Sequence, residues 1–554
     1  MSKAYTVADY LIERLTQLGI RHMFGVPGDY NLHFLDHVVA HPQLAWVGCA
    51  NELNAAYAAD GYARHAPAAA MLTTFGVGEL SAINGTAGSY AEYLPVIHIV
   101  GAPSVEAQKN RALLHHSLGD GDFEHFMRMA AEVTCAQASL TVENAVEEID
   151  RVLGEAVRQR RPVYLLLPSD VSETPLRALP QAAANISAPC APDSLQAFAQ
   201  AARELLKGAR HTTLLTDFQA GRFGQTAALR KLAAFPGLAG ATMMMGKGIL
   251  DESQANFSGT YTGSASLPPV KAAVEQADVL ISVGVCLSDA QTAGFTHRIN
   301  EKKRIDLRPF SASVGGYRFG QLPMGEALRV LNELAGELAV EWRLREETAP
   351  DAPPASAETL DQRAFWHQIQ QFLQPGDIII TEQGTASFGF AHVRLPQDAS
   401  LTVQTLWGSI GYTLPATLGA QMAQPDRRVV LIIGDGSAQL TIQELGTLLR
   451  QGLKPVILLL NNDGYTVERA IHGPYQSYND IAAWNWRLIP AALSQNAPCN
   501  VHRAETVAEL RQVLQQIDKP EALTLVEVML PKYDVPDLLG VLCRTMEARN
   551  SAHG

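Results

Sequence analysis

Two apolar runs in the last third of the chain constrain it most. Val429–Ile433 leads straight into Gly434-Asp435-Gly436-Ser437, and Val456–Leu460 ends on Asn461-Asn462, with an amphipathic stretch between them. Strand, tight turn, helix, strand is a βαβ unit, which implies a parallel sheet with helices packed on it. In open parallel sheets ligands bind at the carboxyl ends of the strands. A carboxylate and a neutral amide there suit a hard divalent cation held by oxygens, with Gly464 turning a backbone carbonyl to the ion as a third ligand. A helix starting near Ser437 would aim free N–H groups at the same place, which suits phosphate. The ligand predicted is therefore a diphosphate held through Mg2+, with Asp435 and Asn462 as metal ligands. An isolated Gly-Asp-Gly is commonly no more than an Asx turn; the second polar strand end changes that reading. No Gly-x-x-x-x-Gly-Lys-Ser/Thr sequence occurs, which argues against a P-loop nucleotidase.

At 554 residues the chain has room for three or four domains, at about 150 residues each. Apolar, β-branched runs alternate with helical patterns throughout. Strands are expected at Met71–Phe75, Val96–Val100, Val163–Leu167, Thr212–Thr216, Val279–Val283, Ile378–Thr381, Val429–Ile433, Val456–Leu460 and Leu523–Val528. Ala- and Pro-rich stretches at 172–194 and 346–358 read as linkers. The expected organisation is α/β, with three doubly wound domains of mainly parallel sheets at 1–175, 190–345 and 358–554. The first and last could be distant copies of one fold, although sequence identity does not show it.

Formal net charge is -13 and no basic tract occurs, which argues against nucleic acid and anionic membrane surfaces as partners. The six cysteines are scattered without a Cys-x-x-Cys and read as reduced thiols. No apolar run reaches the ~20 residues a bilayer requires, and the N-terminus opens on an amphipathic helix, so a cytoplasmic location is expected.

Glu52 opens a stretch of small apolar residues, Leu53-Asn54-Ala55-Ala56-Tyr57-Ala58-Ala59-Asp60-Gly61-Tyr62-Ala63-Arg64. An acidic residue in a helix first turn is favoured by the dipole alone, yet a helix this poor in bulk must pack closely. Asp29 follows Gly25-Val26-Pro27-Gly28 and could be a helix cap. His115-His116 stands before Ser117-Leu118-Gly119-Asp120-Gly121-Asp122-Phe123 and could be surface decoration. Gly76-Val77-Gly78-Glu79 invites a dinucleotide reading that the missing third glycine weakens.

Taken together these segments resemble a known family. Gly434-Asp435-Gly436…Asn461-Asn462 is similar to the thiamine diphosphate and Mg2+ motif of the thiamine-dependent enzymes, and the resemblance covers nearly the whole chain. It implies pyrimidine-binding, central and diphosphate-binding domains. By that resemblance Glu52 hydrogen-bonds the cofactor's aminopyrimidine ring. Gly76 belongs to a turn facing the cofactor, as do Gln383, Gly384, Thr385, Gly408, Ser409, Gly436, Ser437 and Gly464. Ile410 resembles the bulky residue wedged under the cofactor, although core would be the default for an isolated isoleucine.

The His-His segment resembles the 2-oxo acid decarboxylase branch, and over nearly its full length the chain is most similar to the indolepyruvate and phenylpyruvate decarboxylases. That resemblance implies that Asp29, His115 and His116 form a proton relay, a role suited to histidine near neutral pH. Glu468, otherwise a helix-face carboxylate beside Arg469, would steer the substrate carboxylate and a later protonation. Ser387, Phe388, Val467, Ile471, Leu538 and Leu542 would line a substrate pocket whose apolar wall suits a bulky side chain such as indole or phenyl. Ser387 and Ala290 depart from the indole branch, where Ala and Thr are usual. A branched-chain 2-oxo acid or pyruvate is the alternative substrate, and a thiamine-dependent carboligase the alternative enzyme. A non-catalytic nucleotide-binding protein would need the metal turn without the relay. In this family the glutamate and the metal turn meet across a subunit interface, which implies at least a dimer, commonly a dimer of dimers.

Overall fold

The computed structural model describes residues 4–176, 188–346 and 358–551. The chain forms three sheets. The N-terminal one is all parallel, in the order Ala45–Gly48, His22–Gly25, Ala69–Thr74, Val96–Ala102, Val163–Pro168, Gln137–Ser139. The C-terminal one is also all parallel: Ser400–Thr402, Ile378–Thr381, Val429–Gly434, Val456–Asn461, Leu523–Met529, Cys499–Ala504. Numbered within each unit, both orders are 2-1-3-4-6-5, so the two outer units are copies in topology.

The central sheet has seven strands, five of them parallel, with an antiparallel extension through Ser311–Val314 and Tyr317–Gly320 at one edge. All nine expected strands form. Their β-branched and aliphatic side chains are buried on both faces, as parallel strands covered by helices require. Residues 177–187 of the first expected linker and 347–357 of the second lie outside the described residues, and the helix Pro192–Leu206 begins inside the first. No described helix is long and apolar enough to cross a membrane.

The outer units meet at a helix crossing. Glu52–Ala63 packs on Thr413–Ala423 so closely that a Cβ at Gly61 would lie 2.2 Å from the Ala416 carbonyl oxygen, and one at Gly419 1.8 Å from that of Ala58. This is the packing that the run of small residues after Glu52 foretells. A buried polar cluster closes the seam. Asp60 accepts hydrogen bonds from Arg64 (2.8 Å), Ser89 (2.8 Å) and Tyr412 (2.5 Å), and Arg64 also donates to Glu92 at 2.6 Å. Every charge is paired there, as burial demands.

Candidate active site

A cavity of about 290 Å3 opens at the carboxyl ends of Ile378–Thr381, Val429–Gly434 and Val456–Asn461. Asp435 and Asn462, 2% and 3% exposed, sit at its floor. The Asp435 carboxylate accepts from the amides of Gly436 (2.8 Å) and Gly464 (3.1 Å), and burial pushes its carboxyl up to about 6. Gly464 has φ 113°, and a Cβ there would lie 2.3 Å from the Asn479 carbonyl oxygen, so glycine is required twice over. One terminal amide atom of Asn462 faces the Gly464 carbonyl oxygen at 3.0 Å and Asp435 Oδ1 at 3.2 Å. Without an ion that atom has to be nitrogen. With it as oxygen, three oxygens converge on one point.

Gln383, Gly384, Thr385, Gly408, Ile410, Gly436 and Ser437 also line this cavity. Glu468, Phe388, Val467 and Ile471 line it as well. Ser409 does not: its hydroxyl meets Tyr57 at 2.5 Å, on the seam to the N-terminal unit. Ser387 is 3% exposed, and its hydroxyl accepts from the Gly384 amide at 3.3 Å, capping the short helix Thr385–Phe390 instead of facing the cavity. Leu542 joins Phe388, Val467 and Ile471 in one apolar cluster behind the wall, while Leu538 lies in the C-terminal core.

The N-terminal residues form a second group. Asp29 Oδ2 is 2.7 Å from His115 Nε2, and Asp29 Oδ1 is 3.9 Å from His116 Nε2. Tyr30 stacks on the His115 ring and its hydroxyl reaches His115 Nδ1 at 3.3 Å. Gly76, at φ 66°, passes under the His116 carbonyl, where a Cβ would come within 2.0 Å of the oxygen. Glu52, half-buried, begins its helix with Oε1 3.2 Å from where a Cβ on Gly78 would stand. None of Glu52, Asp29, Gly76, His115 and His116 lines the C-terminal cavity. Within one chain the two groups do not share a pocket.

Three buried acids are given no role by the sequence. Glu444 accepts from the Ala50 amide (3.1 Å) and from Asn54 Nδ2 (2.9 Å), pinning both sides of Glu52 from the C-terminal unit. Glu382 borders the cavity and accepts from the Thr413 hydroxyl at 2.6 Å; burial pushes it up to about 7. Glu79 accepts from the Gly76 amide (2.8 Å) and the Tyr164 hydroxyl (2.7 Å), and burial pushes it also up to about 7. An acid at N3 of a helix that begins on glycine is the one signal that could have singled out Glu79.

Three family models match along the chain: the thiamine pyrophosphate enzyme N-terminal TPP binding domain over residues 5–126, the central domain over 199–334 and the C-terminal TPP binding domain over 382–528. The chain belongs to the thiamine pyrophosphate enzyme family. Among its relatives, a protein of Mycolicibacterium paratuberculosis named alpha-keto-acid decarboxylase is 49% identical over 551 residues, covering 98% of this chain and 96% of the relative. Proteins of the same name from Mycobacterium ulcerans (49% over 546 residues, 97% and 95%) and Mycobacterium tuberculosis H37Rv (48% over 557 residues, 98% and 97%) match as fully.

The cofactor of a thiamine pyrophosphate enzyme is thiamine diphosphate, with Mg2+ as the usual metal. The cavity floor fits that pair. A carboxylate, an amide oxygen and a backbone carbonyl are the hard ligands Mg2+ takes, and the ion's remaining positions are left for phosphate and water. A cation there also stabilises the ionised form of a carboxyl that burial otherwise raises.

Proposed function

We propose that this enzyme removes CO2 from a 2-oxo acid with a bulky apolar side chain, indolepyruvate or phenylpyruvate, and releases the aldehyde. The carrying observation is the Asp29–His115–His116 cluster, with Asp29 and His115 in direct hydrogen-bond contact. Replacing a carboxylate by hydrogen requires a proton delivered to carbon, and a carboxylate–imidazole pair open to solvent is suited to deliver one. Asp435, Asn462 and Gly464 would hold Mg2+. Bound there, thiamine diphosphate supplies the carbon nucleophile and the electron sink. Glu52 holds and returns a proton at the cofactor's pyrimidine, and Glu468, at the cavity mouth, orients the substrate carboxylate. The wall of Phe388, Val467 and Ile471, backed by Leu542, supports an apolar substrate side chain.

The working unit is at least a dimer. The group around Glu52 does not line the cavity around Asp435 within one chain, which supports a second copy bringing the two together. Val77 (53% exposed), Leu80 (36%), Trp407 (40%), Ile410 (38%) and Leu440 (48%) are large apolar side chains left uncovered beside the two groups, which supports a partner seated there. The test is a panel of indolepyruvate, phenylpyruvate, branched-chain 2-oxo acids and pyruvate with aldehyde detection, run with and without thiamine diphosphate and Mg2+. Cofactor-dependent aldehyde release, fastest on the aromatic acids, is expected. A marked preference for pyruvate would overturn the bulky-substrate reading, and a ligation product in place of aldehyde would overturn the decarboxylase reading.

A further inference from the structure

The central unit carries a cavity of about 290 Å3 that the chemistry above does not use. It lies at the amino ends of Thr212–Thr216 and Ala239–Thr242, the end of a parallel sheet opposite to the usual ligand site. His211, Thr212, Phe257, Arg343, Arg345 and Arg394 line it. Arg343 and Arg345 follow the last long helix of the central unit, Met324–Leu338, and Arg394 reaches in from the C-terminal unit.

The three guanidiniums donate only to backbone carbonyls among the described residues. Arg343 donates to Val340 (2.8 Å) and Trp342 (2.7 Å), Arg394 to Glu252 and Phe257 (3.3 Å each), and Arg345 to Gln276. None of them forms an ion pair with a described carboxylate. Asp278, beside His211, spends an oxygen on the amides of Arg210 (3.1 Å) and His211 (2.9 Å). Two buried polar atoms at the cavity have no partner: Arg345 Nε, and the hydroxyl oxygen of Thr212, a residue 1% exposed. Buried polar groups are otherwise satisfied as a rule, and like charges gathered in one recess attract a counter-charge.

We propose that this cavity binds a small oxyanion, a phosphate or a carboxylate, gripped by Arg343, Arg345 and Arg394 with the Thr212 hydroxyl as a further contact. A planar guanidinium matches the paired oxygens of either group. The volume suits a phosphate or a small dicarboxylate and excludes a dinucleotide. Because Arg394 belongs to the C-terminal unit, the bound anion links two units of the chain.

The test is titration calorimetry on holoenzyme saturated with thiamine diphosphate and Mg2+, at constant ionic strength, with inorganic phosphate and succinate as separate probes. Saturable binding of at least one is expected. Arg345→Gln should weaken it about tenfold or more, the change expected on losing a charge-assisted hydrogen bond, while Arg487→Gln on the outer surface leaves it unchanged. Arg343→Gln, on an exposed side chain, carries the same expectation should Arg345→Gln fail to fold. Saturable binding of phosphate alone assigns the site to phosphate, and of succinate alone to carboxylates. No saturable binding of either probe up to ~20 mM, or binding equal in the arginine variants and the wild type, would overturn the site.

Discussion

The N-terminal and C-terminal sheets share one strand order yet carry opposite chemistry at the same edge. After its first strand the N-terminal sheet presents Asp29, and after its second Glu52; the C-terminal sheet presents Glu382 and Gln383, then Gly408 and Ile410. After the third strand the N-terminal copy has Gly76, pressed beneath the His116 carbonyl, where the C-terminal copy has the buried carboxylate Asp435. The scaffold sets where the turns lie, and the turns set the chemistry. On the function proposed above, one copy would handle protons and the other would hold the cation and the cofactor's diphosphate.

The sharpest way to break that division of labour is Glu52→Gln. It should lower kcat by about 10²–10⁴-fold, as removal of an acid–base group does, with affinity for thiamine diphosphate and Mg2+ kept. If cofactor affinity falls in step with kcat, the N-terminal copy binds as well as transfers protons. Next comes Glu444→Gln, which leaves the Ala50 amide and Asn54 facing an uncharged group. A stability loss of about 1.5–3 kcal/mol is expected from chemical unfolding, with kcat falling as Glu52 loosens; unchanged values in both would show that Glu52 holds its place unaided. Ile471→Ala alters only the C-terminal wall. It should change the ratio of kcat/KM between aromatic and small 2-oxo acids by about 10–200-fold, and an unaltered ratio would remove Ile471 from the pocket.

The most gradual effect is in pH dependence. Glu79 and Glu382, one in each outer unit, keep their protons up to about 7 in the folded chain, against an ordinary value of 4.5. The folded state therefore binds more protons than the unfolded one between those values. Stability is fully present below 4.5 and is lost as pH rises to about 7, at no more than about 1.4 kcal/mol per pH unit for each group. Glu79→Gln and Glu382→Gln should each flatten that slope in unfolding measured on apoenzyme from pH 5 to 8. A slope unchanged in one variant would mark that unit's acid as ionised throughout.

Much of this molecule is legible in its sequence because the informative residues sit at the ends of long, fully buried strands. Val429–Gly434 and Val456–Asn461 announce themselves by apolar runs that stop on polar residues. His22–Gly25, Ala45–Gly48, Gln137–Ser139 and Ser400–Thr402 pass unnoticed, since three or four residues, some part-exposed, give no usable period. The sequence suggests that the outer units are copies but does not show their common strand order, which depends on where those short edge strands pair. Glu444 is illegible because its partners, Ala50 and Asn54, lie at the far end of the chain. Ser387 is legible as a position but not as a direction, because one step around a helix decides whether a side chain faces the cavity or caps the turn.

At the crossing of Glu52–Ala63 over Thr413–Ala423 main chain rests on main chain, with Gly61 and Gly419 leaving no thickness between them. Side-chain packing elsewhere can drift as one residue is exchanged for another of similar bulk. Here there is nothing to exchange, so the offset between the Glu52 turn and the Asp435 turn works as a gauge block, cut in backbone and indifferent to substitutions in the wall of Phe388, Val467 and Ile471.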